Sequence, residues 1–155
     1  MSAVDRFVDE LGLISQESGE SRISGRIVGL LLVEGRELSL AEISERLGVS
    51  RASVSTNARL LLRRGVIRLT AHADNRRDYY ELAAMPFFAM LEDLADRFAR
   101  HGQSLGRHVS GMRAEDPAAA GRADDLTSFF EKSAIILRDW SKTLRDEEAL
   151  QEDRQ

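Results

Sequence analysis

The residues best equipped for chemistry in this chain are arginines, and they are crowded. Between Ser50 and Arg77 stand Arg51, Arg59, Arg63, Arg64, Arg68, Arg76 and Arg77 against the single acid Asp74, a local balance of +6 in a protein of net charge -4. A basic island in an acidic chain is the electrostatic footprint of a surface for a polyanion. If the segment from Arg51 is helical, Val54, Ala58, Leu61 and Leu62 fall at core spacing. The opposite face then presents Ala52, Ser53, Ser55, Thr56, Arg59 and Arg63, with Arg51 near its start. Small side chains let such a helix approach base edges closely. Ala52 or the Thr56 methyl can meet a thymine methyl, and Arg59 is long enough for a bidentate guanine contact. Ser50, Ser53 and Asn57 suit phosphate or mixed contacts, which position a protein rather than specify sequence. Arg76 and Arg77 suit the narrow minor groove, where negative potential is strongest.

These groups need elements to hold them. Ser39 and Glu42 form a capping-box pattern that starts a short helix to Leu47. Gly48 supplies the permissive backbone for a turn, Val49 packs inward, and Ser50 caps a second helix that ends at Gly65. Val66 to Ala71 reads as a strand with Val66, Ile67 and Leu69 apolar. Asp74-Asn75-Arg76-Arg77 makes the turn, and Asp78 to Leu82 returns with Tyr79 and Tyr80. This order predicts a winged helix-turn-helix: a mainly α fold with a small β-hairpin wing, flanked by N- and C-terminal dimerisation helices.

The flanks carry apolar stripes. Val4, Phe7, Val8, Leu11 and Ile14 fall on one helical face with Ser2 as N-cap. A loop is expected over Ser15 to Ser21, then a buried helix around Ile23 to Val33 that ends at Glu34-Gly35. Pro86 fits the first turn of a further helix. In it, Phe87, Leu91, Leu94, Phe98, His101, Leu105, His108 and Met112 form a heptad seam. An alanine-rich connector is expected around Pro117 to Ala120. A second amphipathic helix follows, with Leu126, Phe129, Phe130, Ser133, Ile136, Leu137, Trp140 and Leu144 on one side, and the charged tail after Leu144 is expected to fray. The organisation read from this is an N-terminal dimerisation helix and loop over 1–21, a DNA-binding module over 22–84 and a helical dimerisation region over 85–155. The stripes are too long for the central module to cover. They are expected to bury against a second copy through Phe7, Leu11, Phe87, Leu91, Leu94, Phe98, Leu105, Phe129, Ile136 and Trp140, with an intrachain helical hairpin as the alternative.

Composition narrows the function classes. The chain has no cysteine, which excludes disulfides, thiol redox sensing and cysteine-ligated zinc. No basic stretch followed by an apolar run opens the sequence, and apolar runs such as Leu30 to Val33 are far below the ~18 residues of a membrane span. A cytoplasmic protein with no membrane partner is expected. Residues 22–82 carry a surplus of basic groups and both flanks a surplus of acids, which places a nucleic-acid surface in the middle. His101 and His108 lie two turns apart, about 10 Å along a helix, too far to share one metal within a chain. No glycine-rich phosphate loop and no supported Ser-His-Asp pattern is present. Neither enzyme activity nor a metal or cofactor is expected.

The segment from Arg26 to Leu82 resembles the MarR family of winged-helix regulators, most closely its GbsR-like branch. The resemblance rests on Gly25-Arg26-Ile27-Val28-Gly29-Leu30-Leu31, Leu40-Ala41-Glu42-Ile43, Val49 through Asn57, and Arg76-Arg77-Asp78-Tyr79-Tyr80-Glu81. The wing is similar to the wider pattern of Asp, any, Arg, five residues, Leu, Thr: Asp74, Arg76 and Leu82 match, and Ala83 replaces the threonine. The resemblance implies a homodimer on a pseudo-palindromic operator and repression modulated by a small-molecule effector. For the GbsR-like branch it implies choline-type quaternary ammonium inducers. Tyr79, Tyr80, Phe87, Phe88, Phe129, Phe130 and Trp140 are the aromatics available for a cation–π cage. Tyr80, Phe88 and Phe130 are the candidate ligand residues, because Phe87, Phe129 and Trp140 also sit at core spacing. Two alternatives remain open: a winged-helix interaction module that no longer reads DNA, and a PadR-like regulator with a different dimer mode.

Overall fold

Helix caps set the order of elements in this protein. The computed structural model describes residues 1–72, 75–83 and 86–152. The chain divides into two units, Met1–Pro86 and Phe87–Gln155. The first holds α1 (Ala3–Glu17), α2 (Arg22–Glu34), β1 (Leu38–Ser39), α3 (Leu40–Leu47), α4 (Arg51–Arg63), β2 (Ile67–His72) and β3 (Asn75–Leu82). The long helices α5 (Pro86–Glu115) and α6 (Pro117–Glu152) follow. The result is a winged helix flanked by helices on both sides of the sequence. No helix among the described residues is long and apolar enough to cross a membrane.

In the first unit, Ser2 caps α1 through a capping box with Asp5, whose amide donates to Ser2 Oγ at 3.1 Å. The Ser2 amide donates in return to the Asp5 carboxylate at 2.8 Å, the main cause that holds the Asp5 carboxyl below its ordinary range. The helix runs to Glu17, so the expected loop shrinks to the residues between Glu17 and Arg22. Its inward face is narrower than the apolar stripe: Val8 and Gly12 are buried, while Val4, Phe7 and Ile14 remain exposed. Small residues explain this. A Cβ on Gly25 of α2 would stand 2.3 Å from the Leu11 carbonyl oxygen, and one on Gly29 would stand 3.2 Å from Val8 Cα. The two helix backbones approach closely, and Leu11 lies against the Gly29 position rather than pointing away from the chain.

The core of the winged helix forms around α2. Ile27, Leu31, Leu38, Ile43 and Val54 are buried almost completely, joined by Leu30, Leu47, Ala58, Leu61 and Ile67. The sheet is antiparallel with strand order β1-β3-β2. Leu38 pairs with Tyr80 and Ser39 with Tyr79, while Ile67 pairs with Leu82 and Leu69 with Tyr80, with an irregularity between Thr70 and His72. The two-residue β1 was not expected, because it exists only through pairing with β3. Leu69, read as an apolar strand position, is largely exposed where the wing extends past the core.

In the second unit, α5 and α6 form an antiparallel hairpin. Asp116 caps α6 by accepting from the Ala119 amide at 2.9 Å, and Pro117 occupies the first helical position. The expected connector at Pro117 to Ala120 is therefore helix, because proline is well placed where no amide is needed. The helix continues to Glu152, beyond the point where fraying was expected. The seam also differs from the expected one. The buried rows are Phe88, Ala95, Gly102 and Val109 on α5, and Ala120, Thr127, Ala134 and Ser141 on α6, each at seven-residue spacing. Gly102 packs against α6: a Cβ there would stand 2.8 Å from Glu131 Cγ, so the Glu131 side chain would have to shift. Leu91, Phe98 and Leu105 flank this row and are half-buried, whereas Phe87, His101 and His108 are exposed. The stripe on α6 divides likewise, with Leu126, Phe129, Ile136 and Trp140 exposed. Thus one part of the predicted seam closes the intrachain hairpin and the other faces solvent.

Candidate nucleic-acid interface

The helix-turn-helix is held by capping side chains. Ser39 accepts from the Glu42 amide at 3.3 Å, and the Glu42 carboxylate accepts from the Ser39 amide at 2.8 Å and its hydroxyl at 2.7 Å. The amide contact is the main cause holding the Glu42 carboxyl below its ordinary range. Gly48 takes a left-handed φ of 64° at the end of α3, a conformation glycine adopts without strain. The Ser44 hydroxyl donates to the Val49 carbonyl at 2.6 Å and so braces the turn. Ser50 then caps α4 by accepting from the Ser53 amide at 3.1 Å.

On α4, Val54, Ala58 and Leu61 face the core, and Arg51, Ala52, Thr56, Arg59 and Arg63 are exposed. The Arg59 guanidinium folds back on its own helix, donating to the Ser55 carbonyl at 3.3 Å and the Ser55 hydroxyl at 3.2 Å. Among the described residues, Arg51, Arg59 and Arg63 have no acid within ion-pair distance. Ser50 and Ser53 share a hydroxyl–hydroxyl bond of 2.9 Å. Asn57, read from sequence as a phosphate contact, lies on another flank: its amide donates to the Ser53 carbonyl and its oxygen accepts from Ser24. Ser24 was not singled out in the sequence. Its signal was a serine placed inside a helix otherwise bound for the core, where a hydroxyl needs a partner.

Not all of the basic island is available to a ligand. Arg64 pairs with Glu20 at 2.7 Å and Arg68 with its cross-strand neighbour Glu81 at 2.6 Å. Arg46 pairs with Glu34 at 2.5 Å, tying α3 to the end of α2. In the wing, Arg77 is exposed; Asp74 and the Arg76 side chain lie outside the described residues. The base of the wing is tied down by Glu37, which accepts from the Thr70 hydroxyl at 2.5 Å and pairs with His72. The Thr70 hydroxyl first, and His72 next, hold the Glu37 carboxyl below its ordinary range. His72 also meets Tyr79 edge-on, with ring centroids 5.1 Å apart.

The candidate ligand aromatics lie in two units, Tyr80 in the first and Phe88 and Phe130 in the second. Tyr80 is buried in the wing sheet, and burial pushes its hydroxyl pKa up. In the hairpin, Phe88 lies under the guanidinium of Arg145 at 5.5 Å, so that face already holds a cation. Phe130 instead packs against Phe98, His101 and Phe129, with centroids 5.3, 5.4 and 5.6 Å away. Arg145 and Phe130 are far apart on α6, about 22 Å at the rise of an α-helix. Phe88 and Phe130 therefore cannot enclose one small cation. Among the described residues no cluster of histidine, aspartate and glutamate could hold a metal ion.

Residues 18–78 match the family model of the MarR family, a family of transcription regulators rather than enzymes. Over 101 residues the chain is 35% identical to the HTH-type transcriptional regulator MmpR5 of Mycobacterium tuberculosis (strain ATCC 25618 / H37Rv), a stretch covering 58% of this chain and 61% of that protein. The chain thus spans about three-fifths of the curated relative it matches. A crystal structure described as a transcriptional regulator superposes with a TM-score of 0.76 at 23% identity, covering 94% of this chain and 99% of that one. It shares the fold.

Proposed function

We propose, on the premise that residues 18–78 form a MarR-family winged-helix module, that the chain is a sequence-specific DNA-binding transcriptional regulator. It acts as a homodimeric repressor on a pseudo-palindromic operator. The observation that carries this reading is the outer face of α4, where Arg51, Arg59 and Arg63 surround the small residues Ala52 and Thr56 with no acid beside them. Such a face admits close approach to base edges and supplies charge for the backbone. The dimer is supported by large apolar side chains left exposed on both flanks, Phe7 in the first unit and Phe87, Phe129, Ile136 and Trp140 in the second. In a two-fold dimer, half-sites lie about 34–36 Å apart, one helical turn of DNA. The GbsR-like motifs support repression modulated by a ligand.

A salt titration against duplex DNA tests the reading. The logarithm of affinity should fall with the logarithm of salt at about −0.9 per phosphate contact. Absence of binding at low salt would instead favour an interaction module that has kept the fold alone. Arg59→Ala should cost ~1–3 kcal/mol and relax base preference at one operator position. Unchanged preference would mean that another face of α4 reads the groove.

A further inference from the structure

Ser24 and Asn57 are committed to each other at a place where DNA recognition would otherwise have claimed the asparagine. Ser24 sits within α2 and is 1% exposed. Its hydroxyl donates to Asn57 Oδ1 at 2.9 Å, and Asn57 Nδ2 donates to the Ser53 carbonyl at 2.8 Å. Both ends of the amide are thus engaged within the protein. The next residue of α2, Gly25, is where α1 comes close enough that a Cβ would collide with the Leu11 carbonyl oxygen. On one side α2 is seated against α1 without slack, and on the other a part-buried hydrogen bond joins it to α4. Apolar packing is non-directional and lets a helix slide or roll, whereas a hydrogen bond fixes distance and angle.

We infer that Ser24 is a positioning residue for DNA binding: through Asn57 its hydroxyl sets the angle at which α4 presents Arg51, Arg59 and Arg63. Asn57 serves this pair rather than a phosphate. The inference rests on the DNA-binding reading above and deepens it, because it ties the recognition helix to the helix that carries α1.

The test uses the full chain, an operator duplex selected from genomic fragments, and the variants Ser24→Ala, Asn57→Ala, their combination and Ser24→Thr. Each alanine should weaken operator binding by the same factor, about threefold to tenfold, as expected for one hydrogen bond. The double variant should be no weaker than either single one, because they act as a unit. The salt slope should stay that of the wild type, since no phosphate contact is lost. Ser24→Thr keeps the hydroxyl and should restore binding; a folded Ser24→Thr that binds no better than Ser24→Ala overturns the inference.

Amide hydrogen exchange on the free chain supplies a readout independent of DNA. In Ser24→Ala, the α4 amides from Val54 to Ala58 should exchange faster while those of α3 do not change. Unchanged α4 exchange overturns the inference. So does an Asn57→Ala variant that binds weakly with a shallower salt slope while Ser24→Ala binds as the wild type does, because Asn57 would then be a phosphate contact. If the wild-type chain binds no duplex at low salt, the DNA-binding reading falls, and with it the part of this inference that concerns DNA. The exchange comparison still decides whether Ser24 holds α4.

Discussion

The winged-helix core and the α5–α6 hairpin solve the same burial problem with opposite residues. In the core, the largest fully buried side chains are Ile27, Leu31, Leu38, Ile43 and Val54. In the hairpin, the inner rows are Phe88, Ala95, Gly102 and Val109 against Ala120, Thr127, Ala134 and Ser141, while Phe129, Ile136 and Trp140 stand outside. The α1–α2 contact follows the hairpin's rule, with glycines inside and Val4, Phe7 and Ile14 outside. Size sorts these terminal helices, because the distance between packed helices is set by the side chains at the contact. Large apolar groups left in water along two helices are the mark of a surface meant for another surface.

Three variants put that contrast to the test. Ile27→Ala removes a side chain that is 0% exposed and should cost about 2–5 kcal/mol, read as a loss of denaturant midpoint without a change in slope. A smaller loss would mean that the core repacks and the contrast is weaker than drawn. Gly25→Ala should come next. Alanine is the better helix former by about 1 kcal/mol, yet its Cβ would meet backbone, which cannot turn aside. A net loss of about 1–3 kcal/mol is expected from overpacking. Thermal unfolding that shows Gly25→Ala to be stabilising would sink the close-approach argument. The smallest effect on folding should come from Ile136→Ser with Trp140→Ser, about 0.5 kcal/mol or less on the hairpin itself. The same pair should shift sedimentation from dimer to monomer, and a dimer that persists would place the second copy elsewhere.

How much of this was legible in the sequence follows from the same contrast. Local signals read well: the Ser39–Glu42 box, the left-handed glycines at Gly35, Gly48 and Gly65, and the Ser50 cap each act within a few residues. The winged core was legible because there large and apolar coincide with buried. The terminal helices misled for the converse reason: a periodicity built on large apolar residues marks Phe87 and Trp140, whereas the inner positions of the hairpin, Phe88 and Val109 apart, are alanine, glycine, threonine and serine. Pro117 read as punctuation within a connector, although Asp116 before it makes it a helix start. The bond between Asn57 and Ser24 was not legible, because the two lie 33 residues apart, beyond any local pattern. The arginine island was real as composition but smaller as a surface, since Glu20 and Glu81 each take one member.

Ser39 belongs to two structures at once: it pairs with Tyr79 in the sheet and caps α3 with the same backbone. Inserting or deleting one residue between Gly35 and Ser39 would therefore change strand register and helix phase together. The register change alone would move each β1 side chain to the other face of the sheet. The length of this short linker is thus held as tightly as the residues it carries, with Leu38 fully buried and Glu37 bonded to Thr70. For anyone grafting this wing onto another scaffold or recombining related chains, Gly35 to Ser39 is a ruler rather than a spacer, and a crossover point belongs elsewhere.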